Sequence, residues 1–319
     1  MKRCAPAAFV ALCLCIAASA QSYPARPLRL VVTVPPGGIS DFTARIVGPR
    51  LAEVLGQPVV VDNRPGAGGN IASELVAKAR PDGHTLLIVA PPTAINVTLY
   101  RSLPFDTRRD LAPVALVGSV PNVLVVGSKT PARTVAELID YARRNPGKAS
   151  FASNSIGTSL HLSAELLKHY GTFPAVHIPY RGLPAAVTAL LAGEVDFMFD
   201  SLSTALPYIR AGRTRALAIT SRTRNPALPE APTMIESGFP DFEVSGWTGI
   251  VTTGGTASAV IARLEGELRK ILSQPDVVEA FEKPGMTVTF AGARDFARFL
   301  DAEITRWAIA VRESGATAD

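Results

Sequence analysis

Residues 35–41 read Pro-Pro-Gly-Gly-Ile-Ser-Asp and stand immediately ahead of a helical pattern. Two adjacent glycines let the main chain approach a ligand closely, and the free N–H groups of a helix start attract an anion. A second run, Ser153-Asn154-Ser155-Ile156-Gly157-Thr158-Ser159-Leu160-His161, sets hydroxyl and amide groups ahead of another helix. Taken alone, either loop is equally a turn with a cap, Gly37-Gly38 bending the chain and Ser40 or Asp41 capping the helix. Two such loops in matching positions make a clamp for a carboxylate. Several charge-assisted hydrogen bonds of about 1.5–3 kcal/mol each reach micromolar affinity, near about −8 kcal/mol, with no arginine in the pocket.

Asp200 closes an apolar run, where it could face a cleft and meet an ammonium, a hydroxyl or water; it could equally cap the helix that begins at Leu202. Thr93 and Asn96 after the third strand, and Tyr180 after Ile178-Pro179, are pocket lining or loop-satisfying groups on the same grounds. Catalytic readings are weaker. Ser159, His161 and Asp200 suggest a hydrolase triad, but there is no Gly-x-Ser-x-Gly elbow, and Ser159 and His161 are two apart, facing away from one another on a helix. Gly66-Ala67-Gly68-Gly69-Asn70-Ile71 follows a strand as a dinucleotide fingerprint does, yet Ile71 occupies the third glycine position. The four histidines offer no metal spacing beyond His161 and Glu165 on one helix face, so no cofactor is expected.

The elements that must position these groups alternate between short β runs and amphipathic helices. Strands are expected at residues 28–34, 58–62 and 85–90, with helices at 40–55 and 70–79. Such alternation implies right-handed crossovers and a doubly wound parallel sheet. Gly48-Pro49 inside the first helix predicts a kink or break, since proline removes a hydrogen bond and clashes with the preceding turn. A second unit follows: strands at 114–120, 123–127, 150–153, 176–179, 195–200 and 216–221, with helices at 134–145, 158–170, 184–192 and 202–211. A last strand at 246–252 and helices at 257–272, 275–282 and 293–314 complete the chain. Two α/β domains joined by a two-crossing hinge, near 122–127 and 244–249, are able to close on a ligand. Domain 1 is expected over 21–123 and 247–319, and domain 2 over 124–246.

Residues 1–20 carry Lys2 and Arg3, an apolar stretch at 7–17 too short to span a bilayer, and Ala18-Ser19-Ala20. This is the pattern of a signal peptide cleaved after Ala20. All three cysteines (Cys4, Cys13, Cys15) fall inside it, which leaves a thiol-free chain suited to an oxidising compartment. Losing Lys2 and Arg3 takes the formal charge from +5 to +3. No basic run interleaves with aromatics, so nucleic acid is not an expected partner.

The motifs named above, together with Val61-Asp62-Asn63-Arg64-Pro65, Pro81-Asp82-Gly83, Ile178-Pro179-Tyr180-Arg181-Gly182 and Gly193-Glu194-Val195-Asp196-Phe197-Met198-Phe199-Asp200, run in order along the chain. In this they resemble the tripartite tricarboxylate transporter substrate-binding proteins, the Bordetella uptake gene family. The resemblance implies a two-lobed periplasmic binding protein of the Venus-flytrap type, without enzymatic activity. It implies a small carboxylate, held partly through ordered water, by Pro36, Gly37, Gly38, Ser40 and Asp41 on one side and Asn154, Gly157, Thr158 and Ser159 on the other. Asp200 is carried over as a pocket residue. Family ligands include di- and tricarboxylates, acidic amino acids and aromatic acids. The implied partner is a permease of one large and one small membrane subunit, or for some members a sensor kinase; the protein itself is expected as a monomer. Members often carry Ala-Thr or Ala-Ser where this chain has Ile39-Ser40, and Ile39 is bulkier.

Overall fold

The computed structural model describes residues 23–318, apart from Glu243 and the side chain of Glu313. The expected signal segment and its cysteines lie outside the described residues. Ten strands and eleven helices follow in the order β1 (Leu28–Val32), α1 (Ile39–Leu55), β2 (Val59–Asn63), α2 (Asn70–Ala77), β3 (Thr85–Val89), α3 (Pro91–Leu99), α4 (Thr107–Asp110) and β4 (Leu111–Gly127). Then come α5 (Val135–Arg144), β5 (Ser150–Ser153), α6 (Ser159–Gly171), β6 (Val176–Pro179), α7 (Leu183–Ala192), β7 (Phe197–Ser201), α8 (Leu202–Arg210) and β8 (Thr214–Ile219). The chain ends with β9 (Ser245–Thr253), α9 (Ser258–Leu272), α10 (Pro275–Glu282), β10 (Thr287–Gly292) and α11 (Ala293–Ser314).

Two α/β lobes share one strand. In the first, β2, β1 and β3 are parallel, β9 runs antiparallel to β3, and β4 lies beyond it with β10 on the far edge. In the second, β6, β5 and β7 are parallel, and β4 lies between β7 and β8, antiparallel to both. β4 pairs with β9 over residues 111–121 and with β7 over residues 122–126, so it leaves one lobe and joins the other at Pro121-Asn122. Sequence reasoning expects two strands here; the structure has one. Proline fits inside it because Pro121 sits where the pairing changes hands and Pro113 sits at a register shift, positions where a missing N–H disturbs no regular ladder.

The chain returns at Val244, whose N–H donates to Thr220 O at 3.3 Å, while Ser245 pairs with Pro121. Thr220 joins both crossings. Its Oγ1 accepts from Asn122 N at 2.8 Å and lies against the carbonyls of Asn122 and Val244.

β1 is buried on both sides, Leu30, Val31 and Val32 being wholly inaccessible, as a strand covered by helices on both faces requires. In α1, Ala44, Val47, Gly48, Leu51 and Leu55 form the inward stripe, and Gly48 seats the helix on Leu30, Val59 and Val61. The expected break at Gly48-Pro49 does not occur; α1 runs on to a left-handed cap at Gly56. Pro49 is on the exposed face, where the Arg45 carbonyl deprived of its helical donor is free to meet water instead.

Three elements escape the sequence reading: α3, the single-turn α4, and β10, which adds antiparallel to β4. α11 packs on α3, β4 and α6, and so spans both lobes. Its inward residues include Phe296, Leu300, Ile304, Trp307 and Val311, with Glu303 buried among them. Glu303 Oε2 accepts from Trp247 Nε1 at 2.7 Å and Trp307 Nε1 at 2.9 Å.

Candidate functional site

The two glycine- and hydroxyl-bearing loops leave the carboxyl ends of β1 and β5, which is where open α/β sheets bind ligands. In the first loop Gly37 has φ +93°, a conformation that favours glycine, whereas Gly38 is extended and forms the N-cap of α1. Neither Ser40 nor Asp41 caps, as the sequence suggested; both are buried in the first turn. The glycine cap leaves the first-turn amides without a capping side chain. Pro36 and Gly37 are exposed, and Ser40 Oγ is buried with no hydrogen-bond partner among the described residues.

Asp41 holds this loop in shape. Its Oδ2 accepts from Gly37 N at 3.0 Å and Arg45 Nε at 2.8 Å, and its Oδ1 accepts from Asn63 Nδ2 at 3.0 Å. Burial works to raise the Asp41 pKa, but the hydrogen bonds from Arg45, Gly37 and Asn63 hold it below the usual carboxylate range. Asn63 Nδ2 also reaches Val34 O at 2.9 Å. Asn63 and Arg45 were missed by sequence reasoning, although the end of β2 beside β1 is a position from which a side chain reaches the β1–α1 loop.

In the second loop Thr158 is the N-cap of α6; its Oγ1 accepts from His161 N at 3.3 Å and donates to Asn154 Oδ1 at 2.7 Å. Asn154 O accepts from Gly182 N at 3.1 Å, and Ser153 O accepts from Tyr180 N at 2.9 Å, so the β6–α7 turn is tied to the loop. Gly157 has φ +74° and donates its N–H to His161 Nδ1 at 3.1 Å. Ser159 opens α6 and is buried, and its carbonyl accepts from Ser163 Oγ at 2.7 Å.

Asp200 lies at the end of β7 opposite Val123 and is buried. It accepts from Thr204 Oγ1 and from the Ser201 amide, yet burial dominates and pushes its pKa up to about 7. The N-cap of α8 is Ser201, so Asp200 does not take the capping role. Thr93 and Asn96 lie on α3 rather than in a loop. Asn96 Nδ2 is spent on Gly68 O at 3.0 Å and Asn70 Oδ1 at 2.8 Å. Tyr180 is half-buried, its hydroxyl pKa raised by burial and by Glu194.

A chain of contacts links the lobes at these loops. Gly69 abuts Thr33, Gly68 abuts Asn96, and Leu99 at the end of α3 abuts Gly157 of the second lobe. Ser159, His161 and Asp200 are joined by no hydrogen bond among themselves; His161 serves Gly157 and Asp200 serves Thr204 and Ser201. Two surface grooves lie elsewhere, one of about 490 Å³ against Tyr100, Phe105 and Arg109, and one of about 420 Å³ along β8.

Residues 43–316 match the sequence model of the tripartite tricarboxylate transporter family receptor. Protein BugT of Bordetella pertussis is 41% identical over 301 residues, which cover 93% of this chain and 92% of that protein. Among solved structures, R. palustris Rpa4515 with adipate superposes with a TM-score of 0.86 at 33% identity, over 92% of this chain and 99% of that one. MatC from Rhodopseudomonas palustris with bound malate gives a TM-score of 0.82 at 31% identity, over 91% of this chain and all of that one. With most of its length matched by the family model and by these relatives, this chain belongs to the tripartite tricarboxylate transporter receptor family, whose members are solute-binding proteins.

Proposed function

We propose that this protein binds a small dicarboxylate between its lobes in the periplasm and hands it to a two-subunit membrane permease. The observation that carries the reading is the contact of Gly157 with Leu99, which brings the second-lobe ligand loop against the first lobe at the carboxyl ends of its strands. The uncapped first turn of α1 supports an anionic ligand, since its amides have no competing side chain. Adipate and malate in the two related structures support the dicarboxylate class.

In this reading one carboxylate meets the main chain of Pro36, Gly37, Gly38 and Ser40 from the first lobe and Gly157, Thr158 and Ser159 from the second. Asp41 shapes the first loop, and Asn154, Tyr180, Thr93 and Asn96 shape the surrounding wall. Asp200 faces the distal end of the ligand. The mature chain begins after Ala20, acts as a monomer without a cofactor, and has lobes over residues 21–123 with 247–319 and over 124–246.

A thermal-shift series with malate, succinate and adipate on refolded, ligand-stripped protein tests this. Ligand at a hundredfold its Kd stabilises by about 2.7 kcal/mol, and calorimetry then gives one site per chain with the acid recovered unchanged. Turnover of the acid, or no shift with any short carboxylate, overturns it.

A further inference from the structure

Beneath the second ligand loop two imidazoles are stacked. His161 of α6 and His177 of β6 have ring centroids 4.0 Å apart, and Phe151 stacks on His177 at 4.8 Å. His161 is 3% exposed. Its Nδ1 lies 3.1 Å from Gly157 N, and an amide N–H only donates, so Nδ1 is the unprotonated nitrogen. The ring proton therefore sits on Nε2, on the side of Glu165 Oε1 at 3.8 Å. His177 carries its proton on the same nitrogen, Nε2, but uses it as a donor. Ser153 Oγ donates to Ser155 O at 2.9 Å, so it accepts from His177 Nε2 at 2.6 Å.

The charged groups facing His161 are few. On α6 they are Glu165 and Lys168, already paired with each other at 2.7 Å; from β6 there is His177. Asp200 of β7 is engaged by Thr204, and Glu303 of α11 by Trp247 and Trp307. Glu165 is the carboxylate beside the ring, 3.8 Å from Nε2, and its pairing with Lys168 offsets what it could offer an imidazolium. Burial first, then His177 and Lys168, push the His161 pKa down to about 3; burial and Lys168 push His177 down to about 4.

We infer that His161 is a positioning residue for ligand capture, its neutral Nδ1 fixing the Gly157 peptide so that the loop closes on Leu99. The inference rests on the ligand-binding reading above and adds the element that sets the loop. With Gly157 N–H turned to the ring, the trans peptide aims the Ile156 carbonyl the opposite way. Protonating Nδ1 would set two donors face to face. Closure and a charged His161 therefore exclude one another, and acid opens the protein.

The test uses the full mature chain with nitrogen-15-labelled histidine. At pH 7 the His161 ring is expected in the Nε2–H tautomer, with no titration until the pH falls to about 4 or below. His161→Phe keeps the stacked ring but removes the acceptor; Gly157 amide exchange should quicken about tenfold, and adipate affinity should fall about tenfold, on the scale of one hydrogen bond. His161→Gln, which offers an amide oxygen, should recover part of both. An Nδ1–H tautomer, titration near 6.5, or an unchanged Gly157 amide in His161→Phe overturns the inference. Tautomer and exchange need no ligand, so failure of wild-type protein to bind adipate or malate would count against the dicarboxylate reading while those two arms still decide the role of His161.

Discussion

Gly157 of the second lobe and Leu99 of the first are packed so closely that a Cβ added to the glycine would lie 2.0 Å from Leu99 Cδ2. Gly157 also has φ +74°, which costs a side-chain-bearing residue roughly 1–2 kcal/mol. Gly157→Ala is therefore expected to weaken adipate or malate binding at least about tenfold by propping the lobes apart, with the circular dichroism spectrum unchanged. Titration calorimetry gives the affinity, and small-angle scattering of the liganded protein should report a larger radius of gyration than wild type.

Asp41 joins Gly37, Arg45 and Asn63 through one buried carboxylate. Asp41→Ala leaves the Asn63 amide and the Gly37 N–H without their acceptor, at a cost of about 1–3 kcal/mol. Ligand affinity should drop more than stability does, because the freed segment is the loop itself. Asp41→Asn, which retains one acceptor, should fall between. Equal affinity in all three proteins would show that the loop keeps its shape without the carboxylate.

Thr220 holds the two strand crossings through a single buried hydroxyl. Thr220→Val keeps the volume and leaves Asn122 N unpaired, so urea denaturation should show a loss of about 1–3 kcal/mol. Its effect on ligand affinity is expected to be smaller than that of Gly157→Ala.

Asp200 gives a pH dependence of definite sign. Below about pH 3.8 the carboxyl is protonated whether the chain is folded or not; between 3.8 and about 7 the unfolded chain gives up its proton while the folded one keeps it. The penalty for burying Asp200 therefore grows as pH rises through that window and is constant above it. Asp200→Asn, neutral and nearly isosteric, should raise the melting temperature at pH 8 by roughly 3–6 °C and have little effect near pH 4. A gain that persists at pH 4 would point to some cause other than ionisation.

Much of the fold is legible in the sequence because its strands are continuous apolar runs bounded by Gly and Pro. β1, β3 and β7 follow from that alone. α3 hides behind Pro91-Pro92 and four β-branched residues, Thr93, Ile95, Val97 and Thr98, whose helical propensity is low. Proline at its first turn was the signal to read. β10 was there to be seen as alternating Thr287, Val288, Thr289 and Phe290, but it is a short edge strand between two helices. At the site, the loops were visible as glycine and hydroxyl clusters. Two of the groups that hold them were not: Asn63 and Leu99 reach their partners across strand order or between lobes, and local spacing carries no trace of that. His161 stands four residues from Gly157 inside the second loop's own motif, and what escaped was its role as acceptor for the Gly157 amide.

The shared acceptor at Glu303 has a practical consequence. The chain has two tryptophans; Trp247 stands in β9 just past the return crossing, Trp307 on the helix spanning both lobes, and both indoles donate to one carboxylate oxygen. All the indole emission of the molecule thus originates at one buried spot beside its pivot. Fluorescence needs no added dye to follow how that joint flexes.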